Sequence, residues 1–215
     1  MTEAEWQAAD ERGRRRAVDS FGPRRTRLFA VVACRSLGRW VDDPAVVAAL
    51  DAAEAFADGT ITKAALGRAR AAVRRVFDGF SGADPGMPDN RRYNATEAAT
   101  RAASENQVSQ ALDTVLFVTA SDGLPHFSEA CRVIYRLYEE FAGPAIRVFD
   151  PAWRTLTAVA IATGTYADRA FDRLPVLADA LEDAGCDAAE LLAHLRGPGP
   201  HARDCWALDA VLGKT

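Results

Sequence analysis

Two cysteines and two histidines lie close together in the carboxyl-terminal part of the chain, at Cys186, His194, His201 and Cys205. His201 and Cys205 are four residues apart, so on a single helix their side chains would lie on the same face. Thiolate sulfur and imidazole nitrogen are preferred ligands of Zn²⁺ in tetrahedral sites that are closed to water. The Gly-Pro-Gly-Pro turn at 197–200 would fold one pair of residues back on the other. This pattern predicts a structural zinc site.

The same four residues allow an interpretation without a metal. Zinc motifs usually pair two ligands at short spacing, and the intervals here, with seven, six and three intervening residues, match no standard motif. Cysteine is among the most buried residue types, so Cys186 could be a core residue. His201 could cap the last helix, and His194 could lie on a solvated face. The sequence leaves both interpretations open.

A second candidate site consists of arginines near the start of the chain, at Arg24, Arg25, Arg27, Arg35 and Arg39. Guanidinium groups on one helix face can bind phosphate or an acidic partner with two hydrogen bonds each. The alternative is a solvated face whose aliphatic stems cover the core. The formal net charge of -4 argues against nucleic acid as the partner of these arginines.

Motifs of established enzyme sites are missing from the sequence. It contains no GxSxG, no HExxH, no Walker loop and no Rossmann glycine pattern. A Cys–His nucleophile pair remains open, although no spacing favours it. The leading hypothesis is therefore a non-catalytic interaction or scaffold protein that binds a protein partner. The alternatives are a zinc-stabilised helical module and an enzyme with an unrecognised helical active site.

Helix signals recur along almost the whole chain and must position these candidate sites. Alanine is abundant, and the hydrophobic residues repeat at intervals of three and four, as on the stripe from Phe127 to Phe141. Thr2 and Glu5 have the spacing of a capping box. We therefore predict an all-α protein of about ten helices, either a compact bundle or two packed halves. The predicted helices cover 3–18, 24–40, 44–57, 61–79, 94–120, 127–142, 152–168, 173–185, 188–196 and 201–212.

Composition also bounds the organisation and location of the protein. Of 215 residues, 49% are hydrophobic and 26% are charged, values that argue against disorder and fibrous repeats. The loop at 81–93, rich in Gly, Pro and Asp, divides the chain into a half at 1–80 and a half at 94–215, unless 1–215 is one domain. The apolar stretches are shorter than the roughly 20 residues that a membrane span needs. With no signal-peptide pattern and no CxxC pair, we expect a cytoplasmic protein.

The last third of the sequence resembles a known group of proteins. The resemblance is carried by 150–155, by DRLPVLADALEDAGC at 172–186, by the segment 191–201 with its HLRGPGPH motif, by Cys205-Trp206 and by Leu212-Gly213-Lys214. These segments are similar to an uncharacterised family of helical proteins common in planctomycete-type, GC-rich bacteria. The start at 2–6 and the segment at 27–35 resemble the same family. The resemblance implies an all-helical fold and no assigned activity.

Overall fold

The computed structural model describes residues 1–80, 90–121, 127–143, 149–203 and 205–214. In this part of the chain there are twelve α-helices, three short 3-10 helices and no β-strand, which confirms the all-α prediction. None of these helices is long and apolar enough to cross a membrane. The 3-10 helices are Gly38–Val41, Pro151–Trp153 and Phe171–Arg173. The α-helices are α1 (Glu3–Ala8), α2 (Glu11–Asp19), α3 (Pro23–Arg35), α4 (Pro44–Ala57), α5 (Lys63–Gly79), α6 (Asn90–Ala102), α7 (Ala111–Ser121), α8 (Phe127–Ala142), α9 (Leu156–Asp168), α10 (Leu174–Asp183), α11 (Ala189–Arg196) and α12 (Trp206–Leu212).

Local capping explains why the predicted helix at 3–18 is divided in two. Thr2 and Glu5 form the expected capping box, with each side chain accepting a hydrogen bond from the backbone N–H of the other residue. The side chain of Asp10 then accepts a hydrogen bond from the Gly13 N–H at 2.7 Å and starts α2. A residue that caps one helix has non-helical backbone angles, so α1 and α2 cannot be continuous.

The predicted helices at 94–120 and 201–212 also differ from the structure. Residues 103–110 interrupt the first of these and separate α6 from α7. Within that interruption, the hydroxyl of Ser104 accepts a hydrogen bond from the Gln107 N–H at 2.9 Å, as serine does in turns. The last helix begins only at Trp206, because Cys205 lies at its N-cap in a non-helical conformation. His201 and Cys205 therefore do not share a helix.

Contacts between Cα atoms divide the chain into two compact units, Met1–Tyr138 and Glu139–Thr215. In the first unit, α3 packs against α4, α6 and α7, and α5 packs against α4 and α6. The helices on either side of the predicted loop at 81–93 thus belong to the same unit, and the division falls inside α8. Residues 81–89 of that loop lie outside the described residues.

The second unit has its own apolar core. Helix α9 packs against α10 and α12, and α11 packs against α10 and α12. The core is built mainly from leucines and alanines, with Tyr166, Cys186 and Cys205 buried among them. Leucines at helical spacing on α10 and α11 contribute to it, which is the expected result of burying one face of each helix.

Candidate metal centre

Four side chains of the second unit converge on one point. They are Glu140, His194, His201 and Cys205, and one ligand atom from each lies within 4.8 Å of all the others. Three of them belong to the set predicted from the sequence. Cys186 does not belong to this group. Its fourth member is Glu140, which the sequence pattern does not predict.

Short structural elements bring these residues together. Glu140 lies in the last turn of α8, and His194 lies in the last turn of α11. His201 follows the turn at 197–200, and Cys205 is the N-cap of α12. Gly197 ends α11, with its N–H donating to the His194 carbonyl at 3.0 Å. This segment brings the His194 and His201 rings to a centroid separation of 5.2 Å.

Glu140 lies between both imidazole rings, with one carboxylate oxygen near each. Its Oε1 is 3.1 Å from Nδ1 of His201, and its Oε2 is 3.4 Å from Nε2 of His194. Nε2 of His194 is also 3.1 Å from Sγ of Cys205. Glu140 and Cys205 are buried, and the His201 side chain is only 8% exposed.

These separations are close to those in a tetrahedral zinc site. Bonds of about 2.0–2.1 Å to nitrogen and oxygen and about 2.3 Å to sulfur place neighbouring ligands about 3.3–3.6 Å apart. The Glu140 Oε1–His201 Nδ1 and His194 Nε2–Cys205 Sγ distances are both 3.1 Å, whereas the 3.4 Å contact to His194 is made by the other carboxylate oxygen, Oε2. The largest separation in the group, within 4.8 Å, would have to contract by about 1 Å to reach that geometry.

The hydrogen bond of His201 to the backbone determines which ring nitrogen can bind an ion. Its Nε2 lies 3.0 Å from the Gly197 carbonyl oxygen, which can only accept, so Nε2 must carry a hydrogen. In the neutral ring, Nδ1 then presents a lone pair towards the Glu140 carboxylate. Both Nδ1 of His201 and Oε1 of Glu140 then carry lone pairs, so their contact is attractive only when a proton or a metal ion lies between them. Metal-binding histidines commonly donate their other N–H to a carbonyl in this way.

Electrostatics favour opposite charges on Glu140 and His201. Burial alone would raise the pKa of Glu140, but hydrogen bonds from His194 and His201, and their charges when protonated, lower it below its ordinary value. Burial alone would lower the pKa of His201, but its hydrogen bonds to Glu140 and Gly197 and the Glu140 charge raise it. The site therefore holds a carboxylate in a buried position and requires a compensating positive charge.

Cys205 is unsuited to act as a nucleophile. It is fully buried, and burial together with the Glu140 charge raises the pKa of its thiol well above the ordinary value. A reactive cysteine needs an accessible thiolate. A bound metal ion would instead favour the thiolate form of Cys205, because coordination deprotonates a thiol directly. The pair of Cys205 and His194 thus fits metal binding better than nucleophilic catalysis.

Cys186 lies in the apolar core of the second unit rather than in the group of four. It is 4% exposed, and its backbone N–H donates to the Leu181 carbonyl at 2.9 Å just after α10 ends. Burial raises the pKa of its thiol. This environment corresponds to the core interpretation of Cys186.

The five arginines predicted to bind an anion all contact groups of the first unit. Arg24 pairs with Asp58 at 3.2 Å, and Arg35 pairs with Asp51 at 2.6 Å and with Glu54 at 3.0 Å. The other three have these contacts: Arg27 with two backbone carbonyls, Arg25 with the Phe21 ring and Arg39 with the Trp40 ring. An anion would have to compete with these internal contacts.

Comparison with known proteins adds no family to this description. No family model, no curated protein and no solved structure matches the chain. The family resemblance in the last third therefore stays a prediction.

Proposed function

We propose that the unit 139–215 is a helical module whose fold is completed by one transition-metal ion, with Zn²⁺ as the best match. Glu140, His194, His201 and Cys205 would be its ligands. The observation that supports this proposal is the convergence of four donor atoms, from separate elements, within 4.8 Å of one another. One sulfur, two nitrogens and one oxygen form a donor set of intermediate softness, which suits zinc.

The ion in this proposal has a structural role. Catalytic zinc sites keep one coordination position for water or substrate, whereas four protein ligands close the coordination shell. The site is also largely buried, which limits access of a substrate to the ion. A structural ion agrees with the prediction of a non-catalytic, cytoplasmic interaction protein with a protein partner.

Metal binding in such a module is coupled to folding. The unfolded chain does not hold Glu140 near the other three ligands, which are His194, His201 and Cys205. The free energy of metal binding therefore stabilises the folded state. The ion would also neutralise the buried Glu140 carboxylate and the Cys205 thiolate. Removing it leaves the carboxylate dependent on protonated histidine for its compensating charge.

The test is a metal titration of the full chain. We expect one equivalent of Zn²⁺ or Co²⁺ to bind, and a strong chelator to lower the melting temperature. Co²⁺ should show visible bands of tetrahedral coordination and a near-ultraviolet sulfur-to-cobalt charge-transfer band. Cys205→Ser should abolish the charge-transfer band. Cys186→Ser is the matched control, because it alters a buried cysteine outside the group of four and should keep that band.

Two results would overturn the proposal. One is metal-free protein that takes up less than about a tenth of an equivalent of zinc at neutral pH. The other is a cobalt complex whose charge-transfer band survives Cys205→Ser and disappears in Cys186→Ser.

A further inference from the structure

Trp206 directly follows Cys205 and covers the ring of His194. The two ring centroids are 4.8 Å apart, with an angle of 47° between the planes. Because Trp206 is the first residue of α12, the same helix start that positions Cys205 also positions the indole. Aromatic rings at this separation attract each other in preferred orientations. Trp206 thus contacts His194 while its neighbour Cys205 supplies the sulfur.

Gly143 allows the indole to occupy this position. It follows α8 with a φ of +59°, a conformation that favours glycine. A Cβ atom at this residue would lie 2.5 Å from Cγ and 2.8 Å from Cβ of Trp206. Any larger residue at 143 would therefore displace the indole. The close approach ties Trp206 to the end of the helix that carries Glu140.

His194 is the most exposed of the four residues in the candidate metal centre, and Cys205 is fully buried. The His194 side chain is 21% exposed, compared with 8% for His201 and 4% for Glu140. Water that displaces a ligand would reach the ion most readily beside His194. The Trp206 indole packs against that ring.

We propose that Trp206 is a positioning residue of the metal centre, which holds His194 in its coordinating orientation and slows release of the ion. Gly143 is required for it to do so. This inference rests on the proposed metal site. Groups that orient metal ligands commonly change metal affinity by about 10- to 100-fold when they are altered. The ligands themselves are unchanged in such variants, so the effect appears as faster dissociation.

The experiment measures release of Co²⁺ from the loaded full chain after mixing with excess chelator. Trp206→Ala should release the ion at least about tenfold faster and should shift the visible cobalt bands. Trp206→Phe keeps an aromatic ring over His194 and should remain close to the wild-type rate. Gly143→Ala should act like Trp206→Ala, because it displaces the indole without replacing any of the four ligand residues.

Val211→Ala is the control for a general loss of stability. Val211 lies on the same helix as Trp206, is 1% exposed and belongs to the apolar core of the unit. Its truncation should lower the melting temperature while leaving the cobalt spectrum unchanged and dissociation slow. If Val211→Ala accelerates release as much as Trp206→Ala does, the positioning role is wrong.

The two proposals fail in different ways. A wild-type chain that binds no metal contradicts the proposed function itself. A wild-type chain that binds one ion, with Trp206→Ala and Gly143→Ala releasing it at the wild-type rate, contradicts only the role of Trp206.

Discussion

Glu140 and His201 form a buried pair in which Oε1 and Nδ1 are 3.1 Å apart, although the two residues are separated by 61 positions in the chain. The other ring nitrogen of His201 is committed to the Gly197 carbonyl. The imidazole is therefore held from both sides, and its orientation does not depend on solvent. This rigidity makes Nδ1 a prepared donor for a metal ion or a proton.

Replacing Glu140 should weaken both the site and the fold. Glu140→Gln keeps the shape but removes the charge that compensates His201. We expect it to lower the free energy of unfolding of the metal-free chain by about 2 kcal/mol, measured by urea denaturation at neutral pH. It should also weaken zinc binding at least about tenfold. Glu139→Gln changes the exposed neighbour on α8 and should leave both quantities unaltered.

The turn between the two histidines should be sensitive to a single methyl group. Gly199 has a φ of +79°, and a Cβ atom there would lie 2.5 Å from the backbone nitrogen of His201. Gly199→Ala should therefore displace His201 and weaken Co²⁺ binding in a spectroscopic titration. Gly164→Ala is the control, because its Cβ meets nothing closer than 4.0 Å inside α9. That control should raise stability by about 0.5–1 kcal/mol and leave metal affinity unchanged.

Arg27 should contribute to the fold of the first unit. It is buried, and its Nη1 donates to the carbonyl oxygens of Ala102 at 2.8 Å and Ser104 at 2.6 Å. Burial lowers the pKa of its guanidinium group. Arg27→Met leaves two buried carbonyls without their donor and should cost about 2–4 kcal/mol in chemical denaturation. The exposed Arg12→Met should change stability little, and an equal loss in both variants would contradict this role.

Asp113 should make the first unit less stable as the pH rises. Its side chain is 17% exposed, and burial raises its pKa to about 6 even though Arg15 lies 2.9 Å away. A carboxyl whose pKa is raised by folding stabilises the protein fully below its unfolded pKa, near 3.8, and loses that contribution as the pH passes 6. The stability of Asp113→Asn relative to wild type should therefore increase by about 1–3 kcal/mol between pH 4 and pH 7. A constant difference across that range would contradict the raised pKa.

Much of the helical pattern could be predicted from the sequence because its causes are local. The capping box of Thr2 and Glu5 forms as expected, since both residues act within one turn. The apolar pattern does not predict the breaks at Ala9 and at 103–110, because a continuous apolar stripe does not reveal where a side chain caps the next helix. Helix boundaries depend on whether a backbone N–H donates to a capping side chain or to the carbonyl of the preceding helical turn.

Glu140 could have been found from one signal, its place on the apolar stripe of α8. It lies three residues after Leu137 and next to Phe141, both buried, where a charged residue requires a partner. The sequence does not say which residues supply that partner, since they lie more than 50 positions away. His194 reaches Glu140 only because α11 and the turn after it fold back on the end of α8.

The sequence by itself determined that the chain is helical, and it identified three of the four residues in the candidate metal centre. These results follow from propensity, capping and the chemistry of residue types. Only the tertiary structure decided that Glu140 joins the site and that Cys186 lies in the core. The physical reason is that burial and long-range packing select which polar groups meet, and sequence spacing carries no information about those distances.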